Sequence, residues 1–328
     1  MENQKSKIKN QKSVLCIGDA VIDAFLTIKE NTLIKPGEKI PVESCEFLLG
    51  GNACNVSVGL SRLGVKSFLC AEIGDDEFSQ KIINGLIKEN VDTSFLKQTK
   101  GAMSSFAVAI EAKNDRTLFV YHVERKHHFD LTNVSADWVY LSSMGKEWKG
   151  AYEKVLSLVK NSNIKLSFNP GTPQLAENSE IISQILQKTD ILFVNKEEAV
   201  KISNFSPRGE AGKFQISNEK ENGENIKQLL RALQKMGARI VVITDGKNGS
   251  SAIDEKGKIY SFGVLPANVV QKTGAGDAYT SGFLAAYTQG KDIEGAMRWG
   301  AANAASVIQE IGAQKGLLSY DFFRKNNN

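Results

Sequence analysis

The segment Val269–Tyr287, VVQKTGAGDAYTSGFLAAY, sets two glycines and an aspartate where a helix begins. Glycine lets the backbone turn so that successive N–H groups point outward, and a helix start adds its own free N–H groups and positive dipole end. Gly274, Ala275 and Gly276 therefore read as an anion hole, followed by a helix from Ala278 to Gln289 with Gly290 as its stop. Asp277 lies beside that hole, where the dipole is expected to keep it ionised and ready to take the proton of an attacking hydroxyl. The other reading of Asp277 is a helix N-cap beside a tight turn. No G-x-x-x-x-G-K-[ST] occurs, and Tyr279 stands where G-x-G-x-x-G needs its third glycine, so the Walker A and dinucleotide fingerprints are both missing.

A second stretch, Gly50–Gly64 (GGNACNVSVGLSRLG), leads a double glycine into a helix. Ala53, Val56, Leu60 and Leu63 form one apolar stripe, and Asn52, Asn55 and Gly59 form another that is small and polar. Amides supply donors and acceptors together, so two of them beside a patch without side chains suit a ligand rich in hydroxyls. A packing helix with small residues for close approach fits the same pattern.

These loops need a frame. Val14–Gly18, Ser67–Ile73, Trp138–Leu141, Ile164–Phe168, Ile191–Val194 and Arg239–Ile243 are short apolar runs of the kind found in buried parallel strands. Helical patterns at Ala53–Leu63, Phe78–Glu89, Tyr152–Asn161 and Ile226–Met236 alternate with them, which predicts a doubly wound α/β sheet. The predicted strands end in Asp19, Asp75 and Asp76, Ser142 and Ser143, Asn169, Asn195, and Thr244 with Asp245. Ligands of open parallel sheets bind beyond such carboxyl ends. Two segments, about 26–48 and 104–122, break the rhythm; the second reads as a hairpin turning at Lys113–Arg116, and together they predict a small β lid. Residues 204–225 are polar and aperiodic and read as a surface insertion, with tails at 1–13 and 321–328 around a domain of 14–320.

Composition narrows the class. With 41% hydrophobic and 24% charged residues in 328, the chain can bury a large core. The formal charge is +4, and Lys5, Lys7, Lys9 and Lys12 of the N-terminal tail hold most of it, which argues against a nucleic-acid partner. No apolar run approaches the roughly 20 residues of a membrane span, and the polar start lacks a signal core, so no membrane partner and a cytoplasmic location are expected. Cys16, Cys45, Cys54 and Cys70 form no C-x-x-C pair and read as small core residues. His122, Arg125, Lys126, His127 and His128 follow the hairpin without the spacing of metal ligands, and their role stays open.

GGNACNVSVGLSRLG and KTGAGDAY, with Gly18-Asp19 and Asp23 at the first strand end, Gly74-Asp75-Asp76, Asn195-Lys-Glu-Glu198, Thr244-Asp-Gly-Lys-Asn-Gly249 and Asn303 before Gly312-Ala-Gln, resemble the PfkB, or ribokinase-like, sugar kinases from about Val14 to Leu318. The resemblance implies Asp277 as base and Gly274, Ala275 and Gly276 as anion hole. It further implies a sugar held by Asp23, Gly50, Gly51 and Asn55 with Asn52 nearby, and a nucleotide at Asn195, Thr244, Gly246 and Gly249 with Asn303 near the adenine. ATP is the implied donor, with Mg²⁺ organised indirectly by Glu198 and Asn195.

Departures from the family pattern shape the rest. Gln271 and Lys272 replace the Asp-Thr that helps place a monovalent cation, which weakens a potassium requirement. Asn52 and Pro173 are neutral where relatives can carry a cation, which points to a neutral acceptor. The expected activity is therefore ATP-dependent phosphorylation of a hydroxymethyl group on a sugar of ribose or fructose type. The alternative is a nucleoside kinase, whose base would need an apolar slot near Phe106, Phe119 and Tyr121. A binding protein without turnover is a third reading, against which the intact Asp277 and glycines count. A homodimer through the lid is expected on the same resemblance.

Overall fold

The computed structural model describes residues 11–29, 32–112, 115–177, 179–204 and 222–325. Residues 1–10, two residues of the expected hairpin turn (113–114), most of the expected insertion (205–221) and the last residues, 326–328, lie outside that description.

The chain enters the main sheet at β1 (Ser13–Ile17), crosses into a small sheet with β2 (Val21–Ile28) and β3 (Val42–Gly50), and returns through α1 (Asn52–Arg62) to β4 (Lys66–Cys70). A short ribbon, β5 (Glu72–Ile73) and β6 (Lys97–Gln98), brackets α2 (Glu77–Lys88); β7 (Phe106–Ala112) and β8 (Asp115–Tyr121) then complete the small sheet. β9 (Trp138–Leu141), α3 (Lys149–Lys160), β10 (Lys165–Phe168), α4 (Thr172–Ala176), α5 (Glu180–Leu186), β11 (Ile191–Asn195), α6 (Lys196–Ser203), α7 (Asn222–Lys235) and β12 (Ile240–Thr244) continue the winding. An antiparallel edge, β13 (Ser250–Ile253) and β14 (Ile259–Phe262), precedes α8 (Ala275–Thr288), α9 (Ile293–Val307) and α10 (Tyr320–Lys325).

The main sheet has the order β14-β13-β12-β11-β10-β9-β1-β4, parallel from β4 to β12. Alternation along each strand divides the core. Val14, Cys16, Tyr140, Phe193 and Val242 pack with α1, α8 and α9, while Leu15, Ile17, Leu141, Val194 and Ile243 pack with α3, α5, α6 and α7. Both faces are covered, so these strands carry continuous apolar runs rather than alternating ones. The connections leave β1 toward β4 on one side and β9 on the other, which makes the β1–β9 boundary the switch point where a crevice opens.

Several expectations change. The small sheet, ordered β3-β2-β7-β8, takes up Val21 and Asp23, so its first segment starts earlier than residue 26 and Asp23 stands on the lid, not at an end of the main sheet. The run from Ser67 to Ile73 is two strands, because Lys97 N bonds the Ala71 carbonyl and turns the chain into the β5–β6 ribbon. Residues 321–325 are not a tail: α10 buries Phe323 against Trp299, ring centroids 4.1 Å apart. At the other end of the chain Lys12 is already in place, bonded to Asp137, and α7 claims the last residues of the expected insertion. Cys16, Cys54 and Cys70 are buried as expected, whereas Cys45 is exposed on β3.

Candidate active site

Both glycine stretches converge on one bond. Asn55, in the second turn of α1, donates from Nδ2 to Asp277 Oδ2 at 2.8 Å across 222 positions of sequence. α1 and α8 are held close enough for this because Gly59 has no side chain: a Cβ there would collide with the buried Ser281 Oγ. The small stripe on α1 is thus a helix crossing at Gly59 and a ligand to Asp277 at Asn55, and it is not an open patch.

The other glycines divide by what they face. Gly274 is left-handed (φ 75°), and a Cβ on it would run into Ala313; it shapes the turn. A Cβ on Gly276 meets nothing within 4 Å, so its backbone is open to a ligand. Beside it Thr273 Oγ1 is buried and has no partner among the described residues. An open cradle, an orphan hydroxyl and the free N–H groups of a helix start together fit an oxyanion. Gly50 and Gly51 are filled, by the Asp23 carboxylate and the Asp19 carbonyl, so they bring β2 and α1 together rather than leave space. Gly246 is open at the end of β12, whereas Gly249 is needed by the turn, because a Cβ there would strike the Phe262 carbonyl.

Asp277 is the third residue of α8, which begins at Ala275 and not at Ala278. Burial pushes its carboxyl up to about 7; the Asn55 donor opposes this, and the charges of Glu198 and Asp23 add to it. The expectation that the helix dipole keeps it ionised is corrected: desolvation and two neighbouring acids outweigh the dipole. A base poised near neutrality is matched to proton transfer at that pH.

At the other end of the crevice Asn195 and Glu198 form a reciprocal capping box on α6, Glu198 N to Asn195 Oδ1 and Asn195 N to Glu198 Oε2, both 2.9 Å. Burial raises the Glu198 carboxyl. Thr244 ends β12 alongside Asn195, and Lys196 Nζ lies 3.8 Å from Asp245 Oδ2. Exposed Val264, Leu265, Val269 and Val270 give the loop before Gly274 an apolar surface. Asn303 is not part of this surface. It is fully buried, donates to the Ala278 carbonyl and Ser281 Oγ, and accepts from Leu318 N; it clips α9 to α8 and has no face for adenine.

The strand register orients the lid. Asp23 shares its face with Leu48, Ala107 and Val120, and Leu48 and Phe25 on that face reach Gly312, next to the Gly274 turn. Phe106, Phe119 and Tyr121 lie on the opposite face, where Phe47, Phe78, Phe106 and Tyr121 form a row of rings with centroids 5.6 to 6.1 Å apart. The expected aromatic slot therefore faces away from Asp23 and packs on α2. Asn52 begins α1 directly after its N-cap, Gly51.

The stretch after the hairpin resolves by alternation. Val123 is half-buried and Arg125, His127, Phe129 and Leu131 are buried, while the residues between them are exposed. That period of two is visible in the sequence and was the missed signal for Arg125. Its guanidinium donates to the Met103 carbonyl and is faced by Glu72, Asp76 and Asp19, so its charge is compensated. His127 packs on Phe129, ring centroids 5.8 Å apart. Gln314, which the sequence offered only as part of Gly312-Ala-Gln and without a role, donates from Nε2 to Asn55 Oδ1 at 2.9 Å.

Residues 11–319 match the family described as pfkB family carbohydrate kinase. The chain belongs to this family. A nucleoside kinase of Methanocaldococcus jannaschii is 26% identical over 317 residues, covering 94% of this chain and 95% of that one. A 5-dehydro-2-deoxygluconokinase of Lacticaseibacillus casei is 24% identical, covering 83% and 84%. The crystal structure of the M. jannaschii nucleoside kinase, described as an archaeal member of the ribokinase family, superposes with a TM-score of 0.76 at 25% identity, covering 96% of this chain and 98% of that one. The protein is thus a sugar or nucleoside kinase of ribokinase-like fold. Among the described residues no helix is long and apolar enough to cross a membrane.

Proposed function

We propose that this kinase transfers the γ-phosphoryl group of ATP to the primary hydroxyl of a neutral, ribose-bearing acceptor, with a nucleoside as the first choice. The observation that carries the reading is Asp277, bonded to Asn55 at 2.8 Å and set directly beside the open Gly276 backbone. The nucleotide lies along Thr244, Gly246 and the apolar loop at Val264–Val270, with its terminal phosphate at Gly274–Gly276. The acceptor lies under the lid between Asp23 and Asn55. Asp277 takes the proton of the hydroxymethyl group as its oxygen bonds to phosphorus; the bond from phosphorus to the bridging oxygen breaks and ADP leaves. Fixed N–H groups stabilise the charge that develops on the transferred group.

Mg²⁺ fits this site as an ion that brings phosphate oxygens and water with it. Among the described residues no three acids, histidines or cysteines cluster to cage a metal, yet Glu198 and Asp23 crowd Asp277 with negative charge. Glu198 would hold the ion through water, and the ion would supply positive charge to offset that of the phosphates.

A neutral acceptor follows from Asn52 and Pro173 being uncharged and from Arg125 being enclosed by three carboxylates. The nucleoside choice is supported by the apolar cleft-facing row of Leu48, Ala107 and Val120 beside Asp23, and by the likeness to the M. jannaschii nucleoside kinase. A free pentose or hexose is the second reading, favoured by the rings of the hairpin lying on the far face of the lid. Exposed Phe47, Phe119 and Tyr121 on that far face suit a second copy of the chain, a homodimer that light scattering would detect. The deciding experiment is acceptor-dependent ADP release with ribose, fructose, adenosine, cytidine, guanosine, inosine and a sugar acid. Higher kcat/KM for a nucleoside supports the first choice, higher values for ribose or fructose the second, and a sugar acid in front would overturn both.

A further inference from the structure

We propose that Gln314 is a positioning residue that fixes which way the Asn55 amide faces and thereby keeps Asp277 available as a base. The inference rests on Asp277 being that base. Asn55 is buried between two partners, Asp277 on one side and Gln314 on the other. A primary amide has two orientations here. With Nδ2 toward Asp277 it donates to an ionised carboxylate; turned round, its Oδ1 faces the carboxylate and is satisfied only if Asp277 is protonated and donates in return. The first orientation favours the base form and the second favours the acid form.

Gln314 decides between them, because its Nε2 donates to Asn55 Oδ1 and would face a donor if the amide turned. The main chain that carries it is fixed. Arg62 Nη1 donates to the main-chain carbonyls of Gln314 at 2.7 Å and Leu317 at 3.2 Å, and Arg62 is itself fixed by a two-point pair with Glu89 at 2.7 and 2.8 Å. Gly312 N donates to Gln271 Oε1 at 2.8 Å, and Gln314 Nε2 also approaches Cys54 Sγ at 3.7 Å. The segment from Gly312 to Leu317 is therefore a strap pinned at both ends, and its one inward amide sets the polarity of the relay Gln314 to Asn55 to Asp277. Asn55 then meets the acceptor only through the hydrogen of Nδ2 that Asp277 does not take.

The groups facing Asp277 are Asn55 and Cys54 on α1, Asp23 on the lid, Glu198 on α6 and Tyr140 on β9. All but Asn55 are neutral thiol or phenol, or like-charged acids. The Asn55 donor is the one contribution among them that lowers the Asp277 pKa, so turning it round moves the acid limb of activity toward higher pH.

The test compares Gln314→Glu, which places an acceptor against Asn55 Oδ1 and turns the amide, with Gln314→Met, which keeps the volume and removes the donor. In the full chain, kcat/KM for the acceptor is measured from pH 5.5 to 9.5 at saturating MgATP, with a thermal melt of each variant. Gln314→Glu is expected to shift the acid limb up by about one unit and to lose roughly tenfold at pH 6.5. Its rate should recover to within about threefold of the parent at pH 9, with KM for ATP unchanged. Gln314→Met is expected between the two. Acid limbs that coincide with the parent's in both variants would overturn the inference, as would a loss that stays constant across pH, which marks a structural role. Asp277→Asn separates the layers: full activity in that variant overturns the base reading itself, whatever Gln314 does.

Discussion

Replacing Asp277 by Asn is expected to remove activity and to stabilise the protein, two effects of opposite sign from one burial. The carboxyl is displaced from its ordinary 3.8 to about 7, chiefly by desolvation. A raised carboxyl pKa means that the folded state binds a proton the unfolded state does not. The penalty is therefore absent well below pH 4 and grows as pH rises to 7, above which it is constant. Three units correspond to about 4 kcal/mol at pH 8 and less than half of that at pH 5, upper limits for a half-buried group with room to relax. Asparagine removes the penalty and still accepts from Asn55. With unfolding entropy of roughly 0.7 kcal/mol/K for a chain of this size, Tm should rise by about 3 to 6 °C at pH 8 and by no more than about 2 °C at pH 5. Transfer should fall by about 10² to 10⁴ while ATP affinity changes little, because the lost group handles the acceptor's proton. Calorimetry at both pH values with ADP-release kinetics checks this. An unchanged Tm at pH 8 refutes the desolvation argument, and parental turnover at saturating acceptor refutes the mechanism.

Gly59→Ala should cost about 1 to 3 kcal/mol by overpacking against Ser281, and Ser281→Gly in the same chain should restore most of it; additive losses would show that the crossing is slack. Gly276→Ala should leave the melting curve within about 1 °C of the parent but reduce kcat/KM for ATP on the order of 10²-fold, whereas Gly274→Ala should lower both, and equal behaviour of the two would contradict the division of roles at the turn. Exchanging K⁺ for a bulky organic cation at constant ionic strength should alter turnover little, since Gln271 Oε1 already joins its loop to Gly312 N; a large saturable K⁺ activation would oppose this.

The main sheet was legible because buried parallel strands advertise themselves as apolar runs. The turn at Gly274 was legible because its left-handed backbone favours glycine, and the hairpin because two apolar runs flank a polar turn-like segment. Other features depend on contacts that no local pattern carries. Asn303 lies in a helix with the right composition for a site, but its three bonds to Ala278, Ser281 and Leu318 bury it. Asp23 reads as a strand end until the pairing of Val21 with Gly50 assigns it to the small sheet. The facing of Phe106, Phe119 and Tyr121 depends on register, and a shift of one residue would reverse it. Gln314 joins Asn55 across 259 positions, beyond any spacing rule.

Because Gly59 lets α1 lie directly on α8, Asp277, the proposed base, and Asn55 belong to one packed unit, while Asp23 and the apolar row beside it belong to the small sheet. Mutations in the lid can then retune what is grasped without disturbing how the phosphoryl group is passed on. A lineage built this way can explore new acceptors by drift in the small sheet alone, and a lid grafted from a relative should bring its preference with it. The same arrangement makes Gly59 nearly unchangeable, since any heavier residue there disturbs chemistry that every acceptor shares.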